Sequence, residues 1–198
     1  MPRRLRKTAY SPGENHRTSD EELMEQLLAG RQSAAGVLFN RYHVSLYNYF
    51  LRMCQDRECS QDLTQSTFER LLRYRSTYQT GKPVRTWLYQ IARHVLYDHF
   101  SKRMPHFSDF TEADDLPSRQ RDGWEQLRDS EQQAQLHQAL QQLKPELREV
   151  LVLTRFRGMR YQEAARVLAC TEGAVKVRVH RAIKELRRHF FQLENHSS

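Results

Sequence analysis

Glycine and proline are scarce in this chain, at 7 and 6 residues among 198. A sandwich or barrel of short strands needs more turn residues than that, so a turn-rich all-β architecture is not expected. Cysteine is scarce too. Cys54, Cys59 and Cys170 are three, too few to pair completely, and reduced thiols are the expectation. No apolar run approaches the roughly 20 residues of a membrane span, so no membrane insertion is expected. The opening stretch MPRRLRKTAYSPGENHRT has charge but no apolar segment behind it. It does not read as a secretory signal, and the cytoplasm is the expected compartment. A Gly-rich phosphate loop, a Ser/His/Asp order and paired carboxylates are all missing, so neither catalysis nor a cofactor is expected. His94, His99 and His106, with Cys54 and Cys59, lack the close paired spacing of a zinc module, and no metal site is assigned.

What the chain does have is positive charge. Thirty-two Lys+Arg stand against 24 Asp+Glu, a formal net charge of +8. The sequence pI of about 9.6 points to a polyanionic partner, either nucleic acid or an anionic membrane surface. Hydrophobic residues at 38% and aromatics at 10% are enough for a packed core. The mean hydropathy of −0.84 requires a large solvated surface.

Helical periodicity runs through most of the chain, and no strand pattern competes with it. Residues 1–18 read as a flexible basic arm. Ser19-Asp20-Glu21-Glu22 reads as a capping box that opens a helix carrying Leu23, Met24, Leu27 and Leu28. Leu38, Tyr42, Leu46, Tyr49 and Met53 mark a second helix over 33–53. Gln55 to Glu58 break the pattern, and a third helix follows over 59–74. After a loop at 76–83, Trp87, Ile91, Val95 and His99 form one i, i+4 row, with Leu88, Ala92, Leu96 and Phe100 beside it. Residues 105–131 hold eight acids and three arginines. This acidic linker is expected to leave the halves on either side independently mobile. Leu136, Leu140 and Leu143 begin a second helical cluster, Pro145 restarts the chain and Gly158 stops it. The fold class expected is all-α: two small helical bundles joined by a flexible acidic linker.

A short helix over Tyr161–Leu168, a turn at Ala169-Cys170-Thr171 and a long helix from Glu172 make the pattern of a helix-turn-helix. Val175, Val179, Ala182, Ile183, Leu186 and Phe190 form its apolar stripe. Lys176, Arg178, Arg181, Lys184, Arg187 and Arg188 lie off that stripe. Such a basic amphipathic helix suits the DNA major groove, and it also suits a membrane surface or an acidic partner.

Five blocks carry a resemblance. Leu143-Lys144-Pro145-Glu146-Leu147-Arg148-Glu149-Val150-Leu151, then Tyr161-Gln162-Glu163-Ala164-Ala165, then Thr171 to Ala182 resemble region four of bacterial RNA polymerase sigma factors of the extracytoplasmic-function group. Asp62-Leu63-Thr64-Gln65-Ser66-Thr67-Phe68, and Trp87 to His94 followed by Asp98, resemble region two of the same group. Ser66 stands where the family usually has Glu, and His94 where Asn is frequent.

The resemblance implies a non-catalytic polymerase subunit that selects promoters. It implies region two over 19–104, the linker over 105–130, region four over 131–193 and a tail over 194–198. Implied partners are the clamp helices of the RNA polymerase core, promoter DNA and an anti-sigma factor. Asp62, Gln65 and Phe68 are the expected core contacts, although Asp62 also suits a helix-start carboxylate. Strand separation needs aromatic surfaces for bases and cations for phosphates. Tyr78, Lys82, Arg85, Trp87, Tyr89 and Arg93 are the expected minus-ten set, although Trp87 heads an apolar row and also reads as core. Glu172, Lys176, Arg178 and Arg181 are the expected readers of the minus-thirty-five element, with Lys184, Arg187 and Arg188 on phosphates. The rival reading is a helix-turn-helix regulator that acts without polymerase.

Overall fold

A computed structural model describes residues 18–103 and 131–194. Every regular element among them is helical. The acidic linker, the tail after residue 194 and all but the last residue of the basic arm lie outside the described residues.

Helix α1 spans Asp20–Leu28, and the capping box is present. The Glu22 amide donates to Ser19 Oγ at 3.1 Å and the Ser19 amide to Glu22 Oε2 at 2.9 Å. Helix α2 runs Ser33–Cys54 and ends at Gln55, which takes a left-handed φ of 58°. Helix α3, Arg57–Tyr74, starts two residues earlier than the periodicity predicts. Asp56 is its cap, accepting from the Cys59 amide at 2.9 Å, so Arg57 and Glu58 are its first turn rather than a break. Helix α4 spans Val84–Arg103. Its two apolar rows fill the first core, where Leu38, Leu46, Tyr49, Phe50, Leu88 and Tyr89 are fully buried. The Tyr49 and Tyr89 rings meet edge-on, with centroids 5.6 Å apart.

The second bundle contains α5 (Glu131–Gln141), α6 (Pro145–Leu151), α7 (Tyr161–Val167) and α8 (Glu172–Glu194). After α6 the chain widens into a π turn over Val152–Phe156 and stops at Gly158, whose φ of 63° suits glycine. Between α7 and α8, Ala169 is left-handed at φ 52°, and Thr171 Oγ1 caps α8 by accepting from the Ala174 amide at 3.1 Å. Val175, Val179 and Ala182 are buried as the stripe predicts.

The halves do not stand apart, contrary to the expectation of independent mobility. Helix α7 packs on α4, and α6 on α2. Gln141 donates to the Arg52 carbonyl at 2.9 Å, and Arg157 to the Ser45 carbonyl at 3.1 Å. Arg148, 5% exposed, reaches the Met53 carbonyl at 3.1 Å and the Leu140, Gln141 and Leu143 carbonyls at 2.6–3.2 Å. Buried polar groups satisfied in this way rigidify the packing around them.

Tyr89 at the centre of the first core is the sharpest stability probe. Truncating a buried aromatic costs about 3–5 kcal/mol. Tyr89→Ala should lower the urea midpoint accordingly, measured by circular dichroism. A shift worth under about 1 kcal/mol would place Tyr89 at the surface instead.

Candidate nucleic-acid interface

The structure separates the region-two candidates into three settings. Asp62 and Gln65 are exposed one turn apart on α3, with Gln65 donating to Glu69 Oε1 at 2.9 Å. Phe68 is buried, its ring 4.8 Å from that of Phe39, itself 42% exposed. Phe68 therefore shapes this face from beneath rather than standing out of it. Beside it, Phe39 stacks on His43. Phe39 was missed by sequence reading, because on helical spacing it is adjacent to the buried Leu38 row.

The minus-ten candidates are placed differently from their expected roles. Tyr89 is 0% exposed, and its hydroxyl lies 2.7 Å from Ser45 Oγ. Tyr78 is buried, its hydroxyl bonded to the Lys82 carbonyl and its ring 5.2 Å from Trp87. Neither tyrosine presents a face on which a base could stack, and apolar burial in the core is the physical reason. Trp87 is half-buried and Lys82 exposed. Arg85 donates to the Arg157 carbonyl, and its neighbour Gln90 to the Arg166 carbonyl at 2.9 Å. Both acceptors belong to region four.

Arg93 lies in the most specific arrangement of the seam. Its Nε is 3.3 Å from both carboxylate oxygens of Glu149, and its guanidinium lies over the Tyr97 ring at 4.5 Å. Tyr49 donates to Glu149 Oε1 at 2.9 Å and Tyr97 to Oε2 at 3.3 Å. Glu149 is 1% exposed, so region four inserts a carboxyl group into a ring of region-two donors. Burial raises the Glu149 pKa above its ordinary 4.5, only partly opposed by Arg93 and the two tyrosines. Burial likewise pushes Tyr49 well above its usual range, and the adjacent Glu149 adds to the effect. Sequence reading included Glu149 in a motif but gave it no role, because its partners lie 52–100 residues away.

On α8, Glu172, Lys176 and Arg181 are exposed, as are Lys184, Arg187 and Arg188. Lys176 pairs with Glu172 at 3.1 Å, and Arg178 is half-buried with Nη1 3.9 Å from Cys170 Sγ. The long basic face of α8 is thus open while Arg85 and Arg93 of α4 are engaged.

Removing Arg93 leaves Glu149 buried without its cation, which costs about 3 kcal/mol or more. Arg93→Ala should therefore enlarge the particle in small-angle scattering at pH 8. The raised pKa means that the docked state holds the Glu149 proton more tightly than the open one. Its contribution to docking is full below about pH 4.5 and is lost as pH rises through the raised value. The variant should accordingly be more compact at pH 5 than at pH 8. A radius unchanged from the parent at both pH values would remove the ion pair as a latch.

Comparison with known proteins gives a consistent result. Residues 38–105 match the family described as Sigma-70 region 2, and 133–186 the one described as Sigma-70, region 4. The ECF RNA polymerase sigma factor BldN of Streptomyces coelicolor is 32% identical over 84% of this chain and 64% of its own length. The RNA polymerase sigma-H factor of Pseudomonas aeruginosa is 31% identical over 82% of this chain and 89% of its own length. Among solved structures, CnrH in complex with the cytosolic domain of CnrY aligns with a TM-score of 0.65 and 26% identity, over 90% of this chain and 99% of that one. The sigma factor RpoE of Bartonella quintana, solved with the anti-sigma factor NepR, shares the fold at a TM-score of 0.58 and 20% identity, over 83% of this chain and 96% of that one. Two family regions in this order decide against a regulator that works without polymerase. The chain belongs to the sigma-70 family and is an alternative sigma factor of the extracytoplasmic-function group, which binds RNA polymerase core and directs promoter-specific initiation.

Proposed function

We propose that the docked arrangement is the resting form of this sigma factor, and that core binding separates the halves. The supporting observation is that Arg85 and Arg93, expected at the minus-ten element, are occupied by region four through Arg157 and Glu149. The α3 face carrying Asp62 and Gln65 is exposed in the same state. Core polymerase can therefore engage this face first, before DNA.

Once open, Lys82, Arg85 and Arg93 hold phosphates and Trp87 offers the aromatic surface for an unstacked base. Tyr78 and Tyr89 support that surface from the core. On α8, Glu172, Lys176, Arg178 and Arg181 read minus-thirty-five base edges, and Lys184, Arg187 and Arg188 bind phosphates. The protein is a non-catalytic subunit acting in the cytoplasm on a polymerase that supplies the chemistry. An anti-sigma factor is its further partner, as suggested by the sigma factor RpoE of Bartonella quintana, which shares this fold and was solved with the anti-sigma factor NepR. Such a partner would hold the halves in a core-incompetent arrangement.

The core contact is tested by Asp62→Arg combined with Gln65→Ala. Both residues are exposed, so the helix content should be unchanged while co-purification with core polymerase is lost. Retention at parental levels would contradict the assignment. The DNA assignments make opposite demands on promoter selection by the holoenzyme. Arg178→Ala should re-rank minus-thirty-five sequences, since a bidentate base contact discriminates by about 1–3 kcal/mol. Arg187→Ala should weaken every promoter alike and flatten the salt slope by about one unit. If neither variant affects any promoter, α8 is not the reader.

A further inference from the structure

Cys54, Cys59 and His99 come from α2, α3 and α4, and nothing in promoter recognition uses them. The turn between α2 and α3 is only Gln55 and Asp56 long, with Gln55 left-handed. It folds the last residue of α2 back against the first turn of α3. The Cys54 and Cys59 thiols lie close enough across it to interact. On the far side, Cys59 Sγ lies 3.4 Å from His99 Nε2. Cys59 is 9% exposed and Cys54 half-buried. Among the described residues, no set of His, Cys, Asp and Glu converges as a metal site would. The chemistry left to the cluster is that of its sulfurs.

We propose that Cys54 and Cys59 form a reversible dithiol–disulfide switch, oxidised by hydroperoxides, with His99 taking the proton from Cys59. The two sulfurs have distinct roles. The hydrogen bond to Cys59, and then burial, push the Cys54 thiol well above its ordinary range, with Asp56 adding to the effect and Arg148 opposing it. Cys59 has an imidazole in contact, so Cys54 is assigned the role of resolving sulfur. Cys59 sits in the first turn of α3, where the helix dipole favours a thiolate, and His99 is placed to accept its proton. Cys59 is thus the attacking sulfur. Its thiolate attacks the peroxide: an S–O bond forms, the O–O bond breaks, and the alkoxide leaves as an alcohol with the proton from His99. Cys54, losing its proton, then attacks the sulfenic sulfur. The S–S bond forms, the S–O bond breaks, and water leaves. In total, two thiols and one hydroperoxide give one disulfide, one alcohol and one water.

The position gives the switch a consequence. Arg52 and Met53, immediately before Cys54, offer the carbonyls on which Gln141 and Arg148 dock region four. A disulfide would tie that end of α2 to α3 beneath the seat of the other half.

The experiment treats the intact, reduced chain with one equivalent of hydrogen peroxide under native conditions. The expected product is about 2 Da lighter and returns to the starting mass with dithiothreitol. Trypsin cuts after Arg52, Arg57 and Arg70, so the disulfide should join peptides 53–57 and 58–70 and separate them on reduction. His99→Asn should slow the mass change about tenfold, because the thiolate is the nucleophile and loses the group that takes its proton. No mass loss, a bond to Cys170, or oxidation that stays on one sulfur would overturn the switch. An unchanged rate in His99→Asn would overturn the role given to His99. Neither polymerase nor DNA enters this test, so its failure would leave the sigma-factor function standing.

Discussion

A carboxyl group buried to 1% exposure is unstable unless donors surround it, and Glu149 takes all of its donors from the other half of the molecule. That requirement fixes the relation between the two regions. The Tyr49 hydroxyl must reach Glu149 from within the first core, and Arg93 must lie along α4 over Tyr97. With α6 held there, α7 lies against α4, and the Arg157 and Arg166 carbonyls come within reach of Arg85 and Gln90. Arg148, the residue before Glu149, ties the same end of α6 to α2 through the Met53 carbonyl. Burial pulls the Arg148 pKa down to about 10, so it stays charged near neutrality and its hydrogen bonds keep their charge-assisted strength.

The seam therefore sets a polar cluster beside its apolar packing, and such groups suit the opening proposed above. An apolar face exposed on opening would cost hydrophobic free energy in proportion to its area. Tyrosine, arginine and carboxylate groups recover hydrogen bonds from water on exposure, and in the proposed open state Arg85 and Arg93 would recover them from DNA phosphates. The same side chains can serve a closed state and an open one because the cations that meet Glu149 and a backbone carbonyl are the type that meets phosphate.

Local structure was legible where local rules act. The capping box at Ser19, the paired rows of α4 and the stripe of α8 follow from spacing alone, and each is present. The start of α3 was misplaced because a cap at Asp56 outweighs the polar look of Arg57 and Glu58. Region four follows its motif to within a few residues, apart from the π turn after α6. What spacing could not carry was depth and distance. Tyr89 and Tyr78 look like base-stacking residues beside a basic loop, yet both are core, since an aromatic in a broad helical stripe can face either way. Glu149 and Tyr49 meet across 100 residues, and no periodicity encodes that pairing. The acid-rich linker suggested separation, but the contacts that decide it lie on the helices.

The account turns on docking in the free chain and opening on core polymerase. His94 on α4 and Arg166 on α7 are both exposed, on helices that pack together. Spin labels at 94 and 166, followed by pulsed electron resonance, report the separation directly. The account predicts one narrow, short distance in the free protein, replaced by a longer one when core polymerase binds. A long or broad distribution in the free chain, or a short distance that persists in the holoenzyme, would contradict it.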